Sequence, residues 1–148
     1  MKELQRQLAP LEKSEKGPAI EIEATKEGLL VSLTDRLSFS MFAIGSAEPR
    51  PEVIKAMETI AGVIKSHAEQ LVVRGHTDGR PYKTALYDNW RLSSARAQMA
   101  YYMLTRAGVP EGQIQRIEGH ADHALRDPAH PLAAENRRVE ILIREAKP

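Results

Sequence analysis

Between Arg74 and Arg96 the chain gathers the side chains best able to do chemistry. Asp78 comes just after the apolar run Leu71-Val72-Val73 and Gly75, so its carboxylate is presented from a loop on a rigid base. Asn89, Ser93 and Arg96 follow at intervals of four and three, which puts them on one helical face. If the loop from Gly79 to Asp88 folds back, Asp78 and Arg96 flank one small cleft. A carboxylate and a guanidinium side by side complement a zwitterion: Asp takes an ammonium and Arg grips a carboxylate bidentately. The free end of an amino acid has this chemistry. A structural Asp–Arg ion pair fits the same spacing, and spacing alone favours that plainer reading.

The histidines offer a second chemistry. His76-x-Asp78 and His120-x-Asp122-His123 can be drawn as a metal site with activated water. The His-Glu-x-x-His spacing of zinc peptidases is missing, and the other histidines are scattered, so the reading is of no metal and no cofactor. His76 is expected to orient its loop through a side-chain hydrogen bond. Ser93 and Ser94 have no evident partner base, which weakens a Ser-His-Asp triad further. Trp90 is expected to cap its helix against the core, with a place over a ligand as the alternative. Arg137 and Arg138 alternate to opposite faces of a strand, so at most one faces the cleft.

These residues need a scaffold. Leu4, Leu8 and Leu11 have helical spacing, interrupted by Pro10, and predict a short helix outside the main core. Residues 1–18 are thus an N-terminal linker or helix, and 19–148 the domain. Ile20, Ile22 and Ala24 alternate with Glu21, Glu23 and Thr25, then Lys26-Glu27-Gly28 turns into Leu29–Leu33, a hairpin. Pro49, Pro51 and Glu52 open a helix with an apolar stripe at Val53, Met57, Ile60 and Ile64. A second long helix spans Asn89 to Ala107 and closes at Gly108. Strands at Leu71–Val73, Ile114–Ile117 and Val139–Ile143 complete an α+β two-layer sandwich with a mixed sheet and βαβ crossovers. Gly75-His76-Thr77-Asp78 and Gly119-His120-Ala121-Asp122 echo each other at strand carboxyl ends, on one rim where such folds place ligands.

Composition narrows the classes. The 148 residues are 42% hydrophobic and 28% charged, enough for one core and a soluble surface. With 21 basic and 20 acidic residues there is no surplus to displace counterions, and no nucleic-acid partner is expected. Aromatics at 5% are too few for a base-stacking platform. Cysteine is absent, which excludes disulfides and thiol chemistry and leaves the redox compartment open. No apolar run approaches the roughly 20 residues of a membrane helix, and Met1–Arg6 has no apolar signal core.

In order, Gly75-His76-Thr77-Asp78, Asn89, Leu92-Ser93, Arg96-Ala97 and Asn136-Arg137-Arg138-Val139-Glu140 resemble the OmpA-like peptidoglycan-binding domains. The likeness runs from about Phe39 to Ile143. Within that family, Asp88–Ser93 and Phe42–Ala47 look most like MotB, the stator subunit of the flagellar motor. General outer-membrane members more often carry Tyr-Asn with no Trp behind it. The resemblance implies a non-catalytic domain that holds diaminopimelate of the peptidoglycan stem peptide. Carried over by position, Asp78 takes the ammonium, Arg96 the carboxylate, Thr77 and Asn89 shape the pocket, and Arg137 reaches the peptide from the last strand. It also implies a periplasmic domain of a single-pass inner-membrane protein, with the membrane helix outside this chain. A homodimer and a MotA-like channel subunit are the implied partners. A general OmpA or Pal-type wall anchor is the alternative, and a wall-acting metallohydrolase through His76, Asp78 and His120 a third.

Overall fold

Alternating apolar and polar residues fold Ala19–Thr25 (β1) and Gly28–Thr34 (β2) into a hairpin, with Ile20 opposite Leu33 and Ile22 opposite Val31. The computed structural model describes residues 2–43, 45–67, 70–81 and 88–145. Before the hairpin lies a short helix, α1 (Lys2–Leu8), and after it α2 (Pro51–Ile64), which starts with Pro in its first turn. The strand β3 (Gln70–His76) precedes α3 (Asn89–Arg106), whose first turn is capped by the Asp88 carboxylate accepting from the Arg91 amide at 2.8 Å. Two strands follow, β4 (Ile114–Gly119) and β5 (Arg138–Arg144).

The five strands lie in the order β1-β2-β5-β3-β4. Only β3 and β4 pair in parallel; β5 runs antiparallel to both β2 and β3 and separates them. The result is the expected α+β mixed sheet with α2 and α3 against it. Its core joins Val31, Leu33, Val73, Ile141 and Ile143 of the sheet to Met57, Ile60, Ala97 and Leu104 of the helices.

One expectation is corrected. The N-terminal helix is not outside the core: Leu4 and Leu8 are fully buried and belong to the same apolar cluster. A helix this short is weak alone, and burial of its leucine face supplies the stability that propensity does not.

Candidate functional site

Strand order builds the site. Because β2 and β3 both run antiparallel to β5, their carboxyl ends and the amino end of β5 meet at one rim. Arg138, the first residue of β5, pairs with Thr34 on one side and His76 on the other. Arg137 therefore falls between the segments that leave β2 and β3, where Asp35 and Asp78 stand. Its Nε donates to Asp35 Oδ2 at 2.7 Å and its Nη1 to Asp78 Oδ2 at 2.6 Å. Asp78, only 2% exposed, also accepts from the Arg80 amide at 2.9 Å. The other oxygen of Asp35 accepts from the Met41 amide at 2.9 Å. Burial pushes the Arg137 pKa down, but the bonds to Asp35 and Asp78 outweigh it and hold the group above its ordinary value.

Helix α3 comes close to this rim because two glycines admit it. Gly75 and Gly119 are register partners in β3 and β4. A Cβ on Gly75 would lie 2.1 Å from the Ser93 carbonyl oxygen, and one on Gly119 2.2 Å from Ser94 Oγ. The close approach presents Arg96, whose Nε donates to the Ser46 carbonyl at 2.9 Å and Nη2 to that of Ala43 at 3.4 Å. The Phe42 ring lies 5.0 Å below its guanidinium. Asn89 Nδ2 donates to the Arg80 carbonyl at 3.0 Å, and its Oδ1 is buried with no partner among the described residues. Thr77 donates from its hydroxyl to the Asp78 carbonyl at 3.0 Å, and its amide bonds Ala121 O at 2.9 Å.

The echoed tetrapeptides are thus neighbours. His76 and His120 stack with centroids 4.9 Å apart, but each ring turns to a carboxylate: His76 Nε2 is 2.9 Å from Glu140 and His120 Nε2 2.9 Å from Glu118. Burial pushes Glu140 upward, but the His76 hydrogen bond and the Arg138 charge prevail and hold it at about 2. Burial drives His76 below its ordinary value despite Glu140. Its Nδ1 is buried without a partner among the described residues, so a second ring proton would have no acceptor.

Of the five residues expected from sequence, Asp78 and Arg137 are brought into contact, Thr77 and Asn89 adjoin them through Asp78 and Arg80, and Arg96 is held by the Ala43 and Ser46 carbonyls. The expected fold-back of the loop after Gly79 lies largely outside the described residues, at 82–87. Trp90 does not cap the core: it is 50% exposed and stacks on His123 at 4.6 Å. The capping role falls to Asp88, whose side chain bonds the first turn.

A profile of the OmpA family matches residues 41–139, the span from the Arg96-holding segment to the second residue of β5. The chain is a member of the OmpA family. This OmpA-family domain is 36% identical over 124 residues to LafU of Escherichia coli O44:H18 (strain 042 / EAEC), covering 84% of the chain and 40% of that protein. It is 31% identical over 128 residues to motility protein B of Escherichia coli K12, covering 85% and 42%. The chain therefore spans less than half the length of either of these two curated relatives. Among solved structures it superposes on the cell wall anchor of the T6SS from Pseudomonas aeruginosa with TM-score 0.77 and 30% identity over 97% of both chains. The periplasmic domain of Helicobacter pylori MotB (residues 97–256) gives TM-score 0.74 at 24% identity, over 86% of this chain and 89% of that one.

Sequence reasoning missed two residues of this OmpA-family domain. Asp35 carried a signal: an acidic residue just past the carboxyl end of an apolar strand, as Asp78 is. Glu140 sits amid the apolar alternation of Val139, Ile141 and Ile143, and reads as solvent-facing until β5 is known to be central.

Proposed function

We propose that this domain is a non-catalytic receptor for peptidoglycan, with the zwitterionic head group of stem-peptide diaminopimelate as its ligand. The observation that carries the reading is the charge balance around Asp78. Among the described residues, Asp35 and Asp78 share one guanidinium, that of Arg137, two carboxylates to one cation. An ionised carboxylate has about four acceptor positions, and among the described residues Asp78 uses two, for Arg137 and the Arg80 amide. An ammonium is the complementary guest. Arg96 supplies the cation for the ligand carboxylate, Thr77 and Asn89 wall the pocket, and Arg137 reaches the peptide. Each charge-assisted bond contributes about 1.5–3 kcal/mol, so single-site affinity is modest and several copies hold the wall by avidity.

In the cell, the reading is of the periplasmic wall-anchoring part of a MotB-like stator, dimeric and joined through a membrane helix to a MotA-like channel subunit. The likeness to motility protein B supports it. A second reading, a wall anchor for another envelope assembly, is favoured by the end-to-end match to the T6SS anchor. Calorimetric titration with a diaminopimelate stem peptide tests the receptor: Asp78→Asn and Arg96→Ala each lose binding with the fold intact, and variants that bind like the parent refute the pocket. A lysine-type peptide, lacking the second carboxylate, binds more weakly. Grafting the domain onto the remainder of Escherichia coli motility protein B and scoring swimming separates the two assemblies.

A further inference from the structure

We propose that Asp35 is the positioning residue of this receptor, orienting both guanidinium groups that serve the ligand and so setting its selectivity for a free carboxylate. The inference rests on the diaminopimelate reading of the pocket. Asp35 lies just past β2 with its side chain buried, and its two oxygens point along two lines. Oδ2 takes Nε of Arg137, whose Nη1 goes to Asp78. A guanidinium is planar, so holding two of its nitrogens fixes the direction of the third. That third nitrogen, Nη2, carries no hydrogen bond among the described residues, on a side chain 25% exposed, and offers two N–H donors outward.

The second line starts at Oδ1, which holds the Met41 amide. Met41 opens the segment whose Phe42 ring and Ala43 and Ser46 carbonyls hold Arg96; the Arg50 amide secures it from behind through the Met41 carbonyl at 3.0 Å. One buried carboxylate thus anchors the segment that seats Arg96 and bonds Arg137 directly. It also divides the Arg137 charge between two carboxylates, which preserves negative potential at Asp78 for an ammonium.

Asp35→Asn separates this from a purely structural role. The amide keeps an oxygen for the Met41 N–H and replaces the oxygen facing Arg137 with an NH₂ group. The probes are two stem peptides, one with a free carboxylate on the unlinked centre of diaminopimelate and one with that group amidated, titrated calorimetrically. Wild type prefers the free carboxylate; Asp35→Asn loses about tenfold for that peptide, the size of one charge-assisted bond, and the preference collapses. An unchanged preference, or equal weakening toward both peptides, overturns the proposal. Arg137→Lys keeps the charge without the fork and is expected to lose the preference with Asp35 intact. Should Asp35→Asn not fold, this variant decides: a retained preference overturns the proposal. Wild type that binds neither peptide refutes the receptor reading itself, a result distinct from a failure confined to Asp35.

Discussion

Gly75 and Gly119 stand side by side in β3 and β4, and both lie against the same turn of α3. A methyl group on Gly75 meets the backbone of Ser93 and Ala97, which cannot swing aside as a flexible side chain can. Gly75→Ala is expected to cost about 3 kcal/mol or more in urea unfolding, at the upper end of overpacking. Gly62 is the control. It lies inside α2 with nothing within 4 Å of a Cβ, and Gly62→Ala is expected to stabilise by about 0.5–1 kcal/mol.

Removing Arg137 leaves two buried carboxylates facing each other. Arg137→Ala is expected to lose about 3–5 kcal/mol of stability, as when a buried ion pair is broken from one side. Adding Asp35→Asn should return part of that loss by removing one of the two charges. Additive losses in the double variant, measured by denaturant unfolding, would contradict the shared-charge arrangement.

Acid should weaken the fold in two stages. His76 has a folded pKa below its ordinary value of 6.5, so its contribution is present above pH 6.5 and is lost as pH falls through the lower folded value. Glu140 falls from 4.5 to about 2, so its contribution is complete above about pH 4.5 and disappears toward pH 2. That lower stage is worth on the order of 3 kcal/mol. Unfolding free energies across pH 2–8 should lose the upper stage in His76→Gln and the lower one in Glu140→Gln.

The N-terminal helix tests whether the core extends to the first residues. Leu8→Ala is expected to cost about 2–5 kcal/mol, the range for emptying a fully buried leucine site. Gln7→Ala, on the exposed face, should stay within about 0.5 kcal/mol in the same thermal or urea measurement.

The periodic parts of this fold were legible before any coordinates. Alternation identified the hairpin, the apolar stripe identified α2, and the repeated Gly-His-x-Asp placed two strand ends on one rim. Partner choice was less so. Asp78 and Arg96 looked like a pair because loop and helix are consecutive in sequence. Arg137, 59 positions from Asp78, reaches it because β5 inserts between β2 and β3. Local pattern does not encode strand order, so neither the Asp35 bridge nor the burial of Glu140 was accessible. The short leucine helix failed for a related reason: its stability comes from a surface that only the tertiary fold creates.

The central place of the last strand has a consequence for biosynthesis. Until residues 138–144 leave the ribosome, the hairpin and the β3–α3–β4 unit each present an unpaired edge where they should be joined. Asp35 and Asp78 also wait for their shared counter-charge, since Arg137 arrives just ahead of that strand. A nascent chain halted ahead of Arg137 would hold two unjoined parts of the sheet with their acidic groups uncompensated, so completion of the sheet and assembly of the Asp35–Arg137–Asp78 cluster become a single late event in the folding of this domain.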